Sequence, residues 1–198
     1  MHRPILAALV IAPLLPAMAS AQSVDPARAT VQQLNDGLIR IMRAGGTISS
    51  RSAAIGPVVD RTFDLPLMTR LSVGPAWTTI APADQQALTA AFRRMTVAQY
   101  ARNFDSWSGE SFTIDPNVQV RGTDKLVRTT LNVPKQAPVA ISYRLRQNGG
   151  SWRIVDVFYR NAISQIATRR SDFASILQRG GARSLVAHMD AIAARGDK

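Results

Sequence analysis

A chain of 198 residues, 46% of them hydrophobic, is long enough for one domain with a sizeable core, and its lack of cysteine excludes a disulfide framework, a thiol nucleophile and lipid attachment of the bacterial lipoprotein kind. The 24 Lys and Arg against 13 Asp and Glu give a formal charge of +11, which suits anionic membrane surfaces or acidic protein partners. The arginines are scattered and not interleaved with aromatic residues, which argues against nucleic acid as a partner.

At the N-terminus, Arg3, the apolar run from Ile5 to Met18 and the small residues Ala19-Ser20-Ala21 read as a secretory signal peptide over residues 1–21. The run carries Pro13 and Pro16 and is short for a bilayer span, so export is expected, followed by a single domain over residues 22–198. Asp25 and Pro26 then predict a helix start, and Val31, Leu34, Leu38, Ile41 and Met42 recur at helical spacing up to Gly45-Gly46. A second, short helix is expected from the Ser49-Ser50 caps to about Ile55, broken at Gly56-Pro57. Phe63-Asp64-Leu65-Pro66 opens a third helical stretch that carries Met68 and Leu71 before Val73-Gly74-Pro75 interrupts it.

The longest helix should run from Pro82 to about Phe104. Leu88, Ala91, Phe92 and Met95 form one stripe, while Val97, Tyr100, Ala101 and Phe104 widen it, which predicts burial on more than one side. From Glu110 the period changes to two: Phe112 with Ile114, Val118 with Val120, and Val127 with Thr129, Leu131 and Val133 read as strands. In Val139 to Arg146 the large apolar residues share one side, and Asn148-Gly149-Gly150 turns that strand into Trp152 to Tyr159. The latter strand has large apolar residues on both faces and should be covered on two sides. Ser171 is expected to cap a short helix stopped at Gly180-Gly181, and a last helix carries Leu185, Met189 and Ile192. The fold class is therefore α+β, an antiparallel sheet of about four strands covered by several helices.

Catalytic groups are sparse. His188 is the one histidine beyond the signal segment, which leaves a Ser-His-Asp triad or a histidine-rich metal site without support, and no glycine loop of the phosphate-binding kind occurs. Asp156, with Tyr100, Tyr143 or Tyr159, is the available acid–base set; the competing reading is that Asp156 pairs with an arginine or caps nearby backbone. Asp64 stands where a helix cap is needed. The larger signal is apolar: Met68, Leu71, Trp77, Phe92, Met95, Tyr100, Phe104, Ile141, Tyr143, Leu145, Ile154 and Phe158 are the candidates to line the space between helices and sheet. Periodicity alone does not tell whether that space is a filled core or a lipid cavity.

Phe63-Asp64-Leu65-Pro66, the helix from Pro82 through Ala91-Phe92-Arg93 to Tyr100, Trp152 to Val157, and Ile163-Ser164 followed by Arg170-Ser171-Asp172-Phe173 resemble the MlaC, or toluene-tolerance, family. Val73 to Trp77, Tyr100 to Asp105, Ser108 to Phe112 and Ala167 to Arg170 look closer still to its hopanoid-associated branch, HpnM. One departure is Ala162-Ile163-Ser164, where many relatives have glycine before the apolar residue. The resemblance implies a nuclear-transport-factor-like α+β architecture with a deep apolar pocket and a periplasmic location. It also implies carriage of a phospholipid or hopanoid between inner-membrane transporter and outer-membrane components, with transient membrane contact, without cofactor, metal or covalent chemistry. A small enzyme acting on a hydrophobic substrate is the alternative.

Overall fold

Helix α1 (Pro26–Ala44) starts where the sequence predicts, because the Asp25 carboxylate accepts the Ala27 N–H at 2.8 Å and Pro26 needs no such bond. The computed structural model describes residues 24–196, so the expected signal peptide, residues 1–21, lies outside the described residues. The second Asp25 oxygen meets Lys125 Nζ at 2.6 Å, tying the helix start to the sheet. Val31, Leu34 and Leu38 are fully buried, and the helix closes at Gly45 with φ 60°.

Helix α2 (Ile48–Thr62) departs from expectation at both ends. Thr47, not the serines, caps it, accepting the Ser50 N–H at 3.2 Å, and it continues through Gly56-Pro57 to Thr62. Interior proline costs about 3 kcal/mol against alanine. Here Pro57 is exposed, and the buried face of Ile55, Val58 and Val59 offsets that cost by packing on α1 and on the long helix described next. Phe63-Asp64 then runs extended beside the sheet, with the Asp64 N–H donating to Ile154 O at 2.9 Å, before α3 (Leu65–Val73) begins. Asp64 caps α3 as expected, accepting the Leu67 N–H at 3.1 Å. A 3-10 turn, Gly74–Thr79, leads to α4 (Pro82–Asn103), whose burial extends round the cylinder from Leu88 and Phe92 to Val97, Ala98 and Ala101. Neighbours α2 and α3 account for part of that wide face.

Among the described residues the sheet has six strands: β1 (Ser111–Ile114), β2 (Gln119–Arg121), β3 (Asp124–Asn132), β4 (Val139–Asn148), β5 (Ser151–Tyr159) and β6 (Ile163–Ser164). All neighbours are antiparallel, in the order β1-β3-β4-β5-β6, with β2 lying beside β1 along the same edge of β3. Five of these fall on the segments that the sequence reads as strands, β2 among them at Val118 to Val120, and β6 is the addition, of two residues.

Opposite Arg144 and Leu145 the register of β5 slips, so that Arg144 faces Asp156 while Leu145 faces Ile154, and Val155 is the extra residue of a bulge. A bulge exchanges the two faces of a strand from that point on. The adjacent buried pair Ile154-Val155 is the mark it leaves in the sequence.

The last helix, α5 (Gln165–Ala193), begins before the predicted Ser171. Ser164 is the cap, accepting the Ala167 N–H at 3.0 Å, and Asp156 supports it from β5 by accepting the Ile166 N–H at 3.2 Å and the Ser164 hydroxyl at 2.6 Å. The expected stop at Gly180-Gly181 is a kink, where Gly181 takes φ 64° and ψ −167°. That conformation is open to glycine alone. Ala162 has no positive φ; the left-handed positions of the β5–β6 turn are Arg160 and Asn161, so the missing glycine imposes no strain.

Candidate functional site

Where α3, α4 and the start of α5 cross the sheet, they enclose a cavity of about 390 Å³. Its floor comes from alternating sheet positions that the register brings together: Leu131 beside Val139, Ile141 beside Tyr159, and Tyr143 beside Val157. Opposite stand Phe63, Met68, Tyr100 and Phe104. The rings of Phe63, Tyr100 and Phe104 form a run that continues to Phe112 beyond the cavity, with centroids 5.6 Å apart for Phe63–Tyr100, 6.0 Å for Tyr100–Phe104 and 6.2 Å for Phe104–Phe112. Tyr159 is 41% exposed and marks where the cavity meets solvent.

The volume lies within the range of ligand pockets, roughly 300–1,000 Å³. An apolar cavity of about 150 Å³ admits benzene, so this one has room for an alkyl chain of on the order of fifteen carbons.

The remaining wall is polar. Thr96, Gln99 and Asn103 follow helical spacing on α4, and Gln165 and Arg169 lie one turn apart on α5, so two polar stripes border the apolar floor. Arg169 Nη2 donates to Gln99 Oε1 at 2.7 Å, and its guanidinium carbon lies 4.9 Å from the Phe92 ring centre. Burial pulls the Arg169 pKa down to about 10, against the opposing influence of Tyr100 and Asp156, so the side chain stays cationic at neutral pH. Burial likewise pushes the Tyr100 and Tyr143 hydroxyls up, which keeps both neutral. Two cavity residues carry buried atoms without hydrogen-bond partners: Thr96 Oγ1 and Arg169 Nη1.

Of the twelve apolar candidates, the structure brings Met68, Tyr100, Phe104, Ile141 and Tyr143 to this cavity. Phe92, Met95, Leu145 and Ile154 instead fill the core at 0–1% exposure, and Leu71 is packed half-buried against it. Trp77 lines a separate hollow with Asp64, Arg70 and Arg146. Phe158 pairs with Ser142, alternate to the Tyr143 and Val157 positions, because the bulge sends it to the face opposite Ile154. Tyr159, considered only as an acid–base partner, is also on the wall, and the wall residues that sequence reasoning missed include Phe63, Leu131, Val139, Val157 and Ile166, together with the polar stripes. The spacing of Thr96, Gln99 and Asn103 was available as a signal, but polar residues on a helix ordinarily read as its solvent side.

Asp156, the acid–base candidate, is 3% exposed, and both its oxygens are engaged: besides the α5 bonds, Oδ1 accepts the Val157 N–H at 2.8 Å. This is the capping role. It does not reach the cavity wall. His188 is half-buried on α5. Among the described residues no group of three His, Asp or Glu is placed to hold a metal ion, and no helix is long and apolar enough to cross a membrane.

The family profile described as "MlaC protein" matches residues 32–191. Among solved structures, the phospholipid-binding protein from Ralstonia solanacearum, determined in complex with a phospholipid, is similar in fold, with a TM-score of 0.75 at 22% identity. The match covers 86% of this chain and 98% of that one.

Proposed function

The chain belongs to the MlaC family, and on that premise we propose that it is a phospholipid-binding carrier of the periplasm that takes its cargo into the cavity without covalent chemistry. The observation that carries this reading is the hollow of about 390 Å³ floored by aliphatic and aromatic side chains. Each methylene moved from water into such a lining contributes about 0.8 kcal/mol, so one acyl chain supplies ample affinity. The phospholipid in the Ralstonia protein of like fold supports the same cargo class.

The finer proposals follow from the N-terminal segment, the charge and the family resemblance. Residues 1–21 direct export, an inner-membrane transporter and outer-membrane components exchange the lipid, and the net charge of +11 favours transient contact with anionic surfaces. Hopanoid is the competing cargo, on the motifs from Val73 to Trp77 and from Ala167 to Arg170. The three bonds on Asp156 favour carriage over acid–base catalysis, since its oxygens hold the start of α5 and not a substrate.

Native mass spectrometry of the exported protein, isolated under mild conditions, is expected to find it bound to phospholipid, and hopanoid added in competition ranks the two cargoes. Protein that is isolated empty and takes up neither lipid in vitro is not a carrier.

A further inference from the structure

Among the described residues five large apolar side chains stay exposed: Val24, Trp107, Val120, Tyr159 and Ile163. Register puts three of them at one end of the sheet. Asn132, closing β3, faces Ser111, where the loop carrying Trp107 enters β1, and Leu131 faces Val139 at the start of β4. Ile141 faces Tyr159, which in turn faces Ile163. The cavity opens at this same end, since Leu131, Val139, Ile141 and Tyr159 belong to its wall. Trp107 and Ile163, 43% and 51% exposed, therefore flank the mouth from opposite edges of the sheet, four strand spacings or roughly 20 Å apart.

Each exposed ring carries a cation. The Arg43 guanidinium lies 4.6 Å from the Trp107 ring centre, and that of Arg160 lies 5.5 Å from Tyr159. Lys135 is exposed in the β3–β4 turn between them. The acidic groups nearest Trp107 in the chain are engaged locally: Glu110 accepts the Ser108 N–H and hydroxyl, and Asp105 accepts the Ser106 hydroxyl. The β5–β6 turn holds its apolar pair in place. Arg160 and Asn161 both take positive φ, 52° and 57°, and the Ala162 N–H donates to Tyr159 O at 3.2 Å. The Ser142 hydroxyl donates to Asn161 Oδ1 at 2.7 Å, which ties the turn to β4.

We propose that this rim seats the protein on an anionic bilayer, with Trp107, Tyr159 and Ile163 at headgroup level and the cavity mouth turned to the acyl chains. The proposal rests on the carrier reading and adds to it the face through which cargo passes. Trp and Tyr rings settle where headgroups meet acyl chains, and a neighbouring guanidinium there reaches lipid phosphates. An acyl chain that leaves through a mouth seated at that depth exchanges one apolar lining for another without crossing water. A protein partner calls for a different pattern, because such interfaces gather their apolar anchors into one packed central cluster, whereas these stand apart round an opening.

The test mixes the exported protein with vesicles of phosphatidylglycerol and phosphatidylethanolamine and reads the bound fraction by co-sedimentation. In the double variant Trp107→Ser with Ile163→Ser, partition onto these vesicles should fall on the order of tenfold, the worth of about two methylenes returned to water. Neither side chain belongs to the cavity wall, so uptake of a lysophospholipid supplied below its micelle concentration should not change. Val120→Ser is the control: Val120 is 71% exposed, but β2 pairs with the opposite end of β3, so vesicle binding should hold. Wild type that takes up lysophospholipid but stays off the vesicles, as a carrier loaded only by a protein partner would, overturns the rim and leaves the carrier intact. An equal loss in Val120→Ser and in the double variant overturns it too. Failure to take up lysophospholipid removes the carrier reading, and vesicle binding that still depends on Trp107 and Ile163 would then support the rim alone.

Discussion

Asp156 ties three elements of the architecture together. It accepts from two backbone N–H groups and one hydroxyl, and so joins β5, β6 and the first turn of α5. Asp156→Ala strands those donors in a buried site, at a cost of about 3 kcal/mol. Urea unfolding should show that loss, whereas the folded variant should still take up lipid; loss of a catalytic turnover would instead revive the enzyme reading. Asp124 makes a different prediction. The fork from Arg146, at 2.6 and 2.9 Å, holds its carboxyl below the usual carboxylate range, against the opposing effect of burial. A lowered folded pKa contributes stability above the unfolded value, near 3.8, and that contribution is lost as pH falls through the folded value. Wild-type protein should therefore lose stability on acidification from pH 5 toward pH 3 more steeply than Asp124→Asn, as read from denaturant midpoints. Arg146 is 41% exposed, so the difference should be about 1 kcal/mol.

At the level of elements, α2 shows packing outweighing intrinsic preference. Pro57 sits in its interior on the exposed side, while Ile55, Val58 and Val59 are buried. Pro57→Ala should restore an amide donor and stabilise the protein by about 2 kcal/mol, after allowance for the freer unfolded chain. A rise in melting temperature is the expected readout. A fall would mean that the proline's own geometry is needed for α2 to dock. The next residue upstream has a packing role: a Cβ at Gly56 would stand 3.3 Å from Arg93 Nη2, which is bonded to Asp60 at 2.6 Å. The β5 bulge acts at the same scale. It lets Ile154 join Leu145 in the core while Val157 and Tyr159 face the cavity.

For the whole molecule, function depends on a space that helices and sheet leave between them. Val157→Trp introduces a large ring at the floor and should abolish uptake of a phospholipid in a fluorescence displacement assay, with the fold kept. Conversely, ligand that binds only the folded state should raise the melting temperature of the wild type, by an increment that grows with the logarithm of lipid concentration. The variant should lose that increment.

Local signals were enough to read most of the elements. Asp25-Pro26, Asp64, Gly45-Gly46 and the change of period after Glu110 act within a few residues, so the α+β class, three helix starts and the strand meander are legible in the sequence alone. The resemblance to the MlaC family was legible too, through short motifs in a fixed order. What the tertiary structure decided depends on partners distant in the chain. The start of α5 is set by Asp156 across a turn, the continuity of α2 by the face it buries, and the division of Ile154 from Phe158 by a bulge visible only in register with β4. The cavity is the extreme case: apolar periodicity records that a side chain leaves water, and contact with a lipid and contact with a neighbouring side chain satisfy that requirement equally.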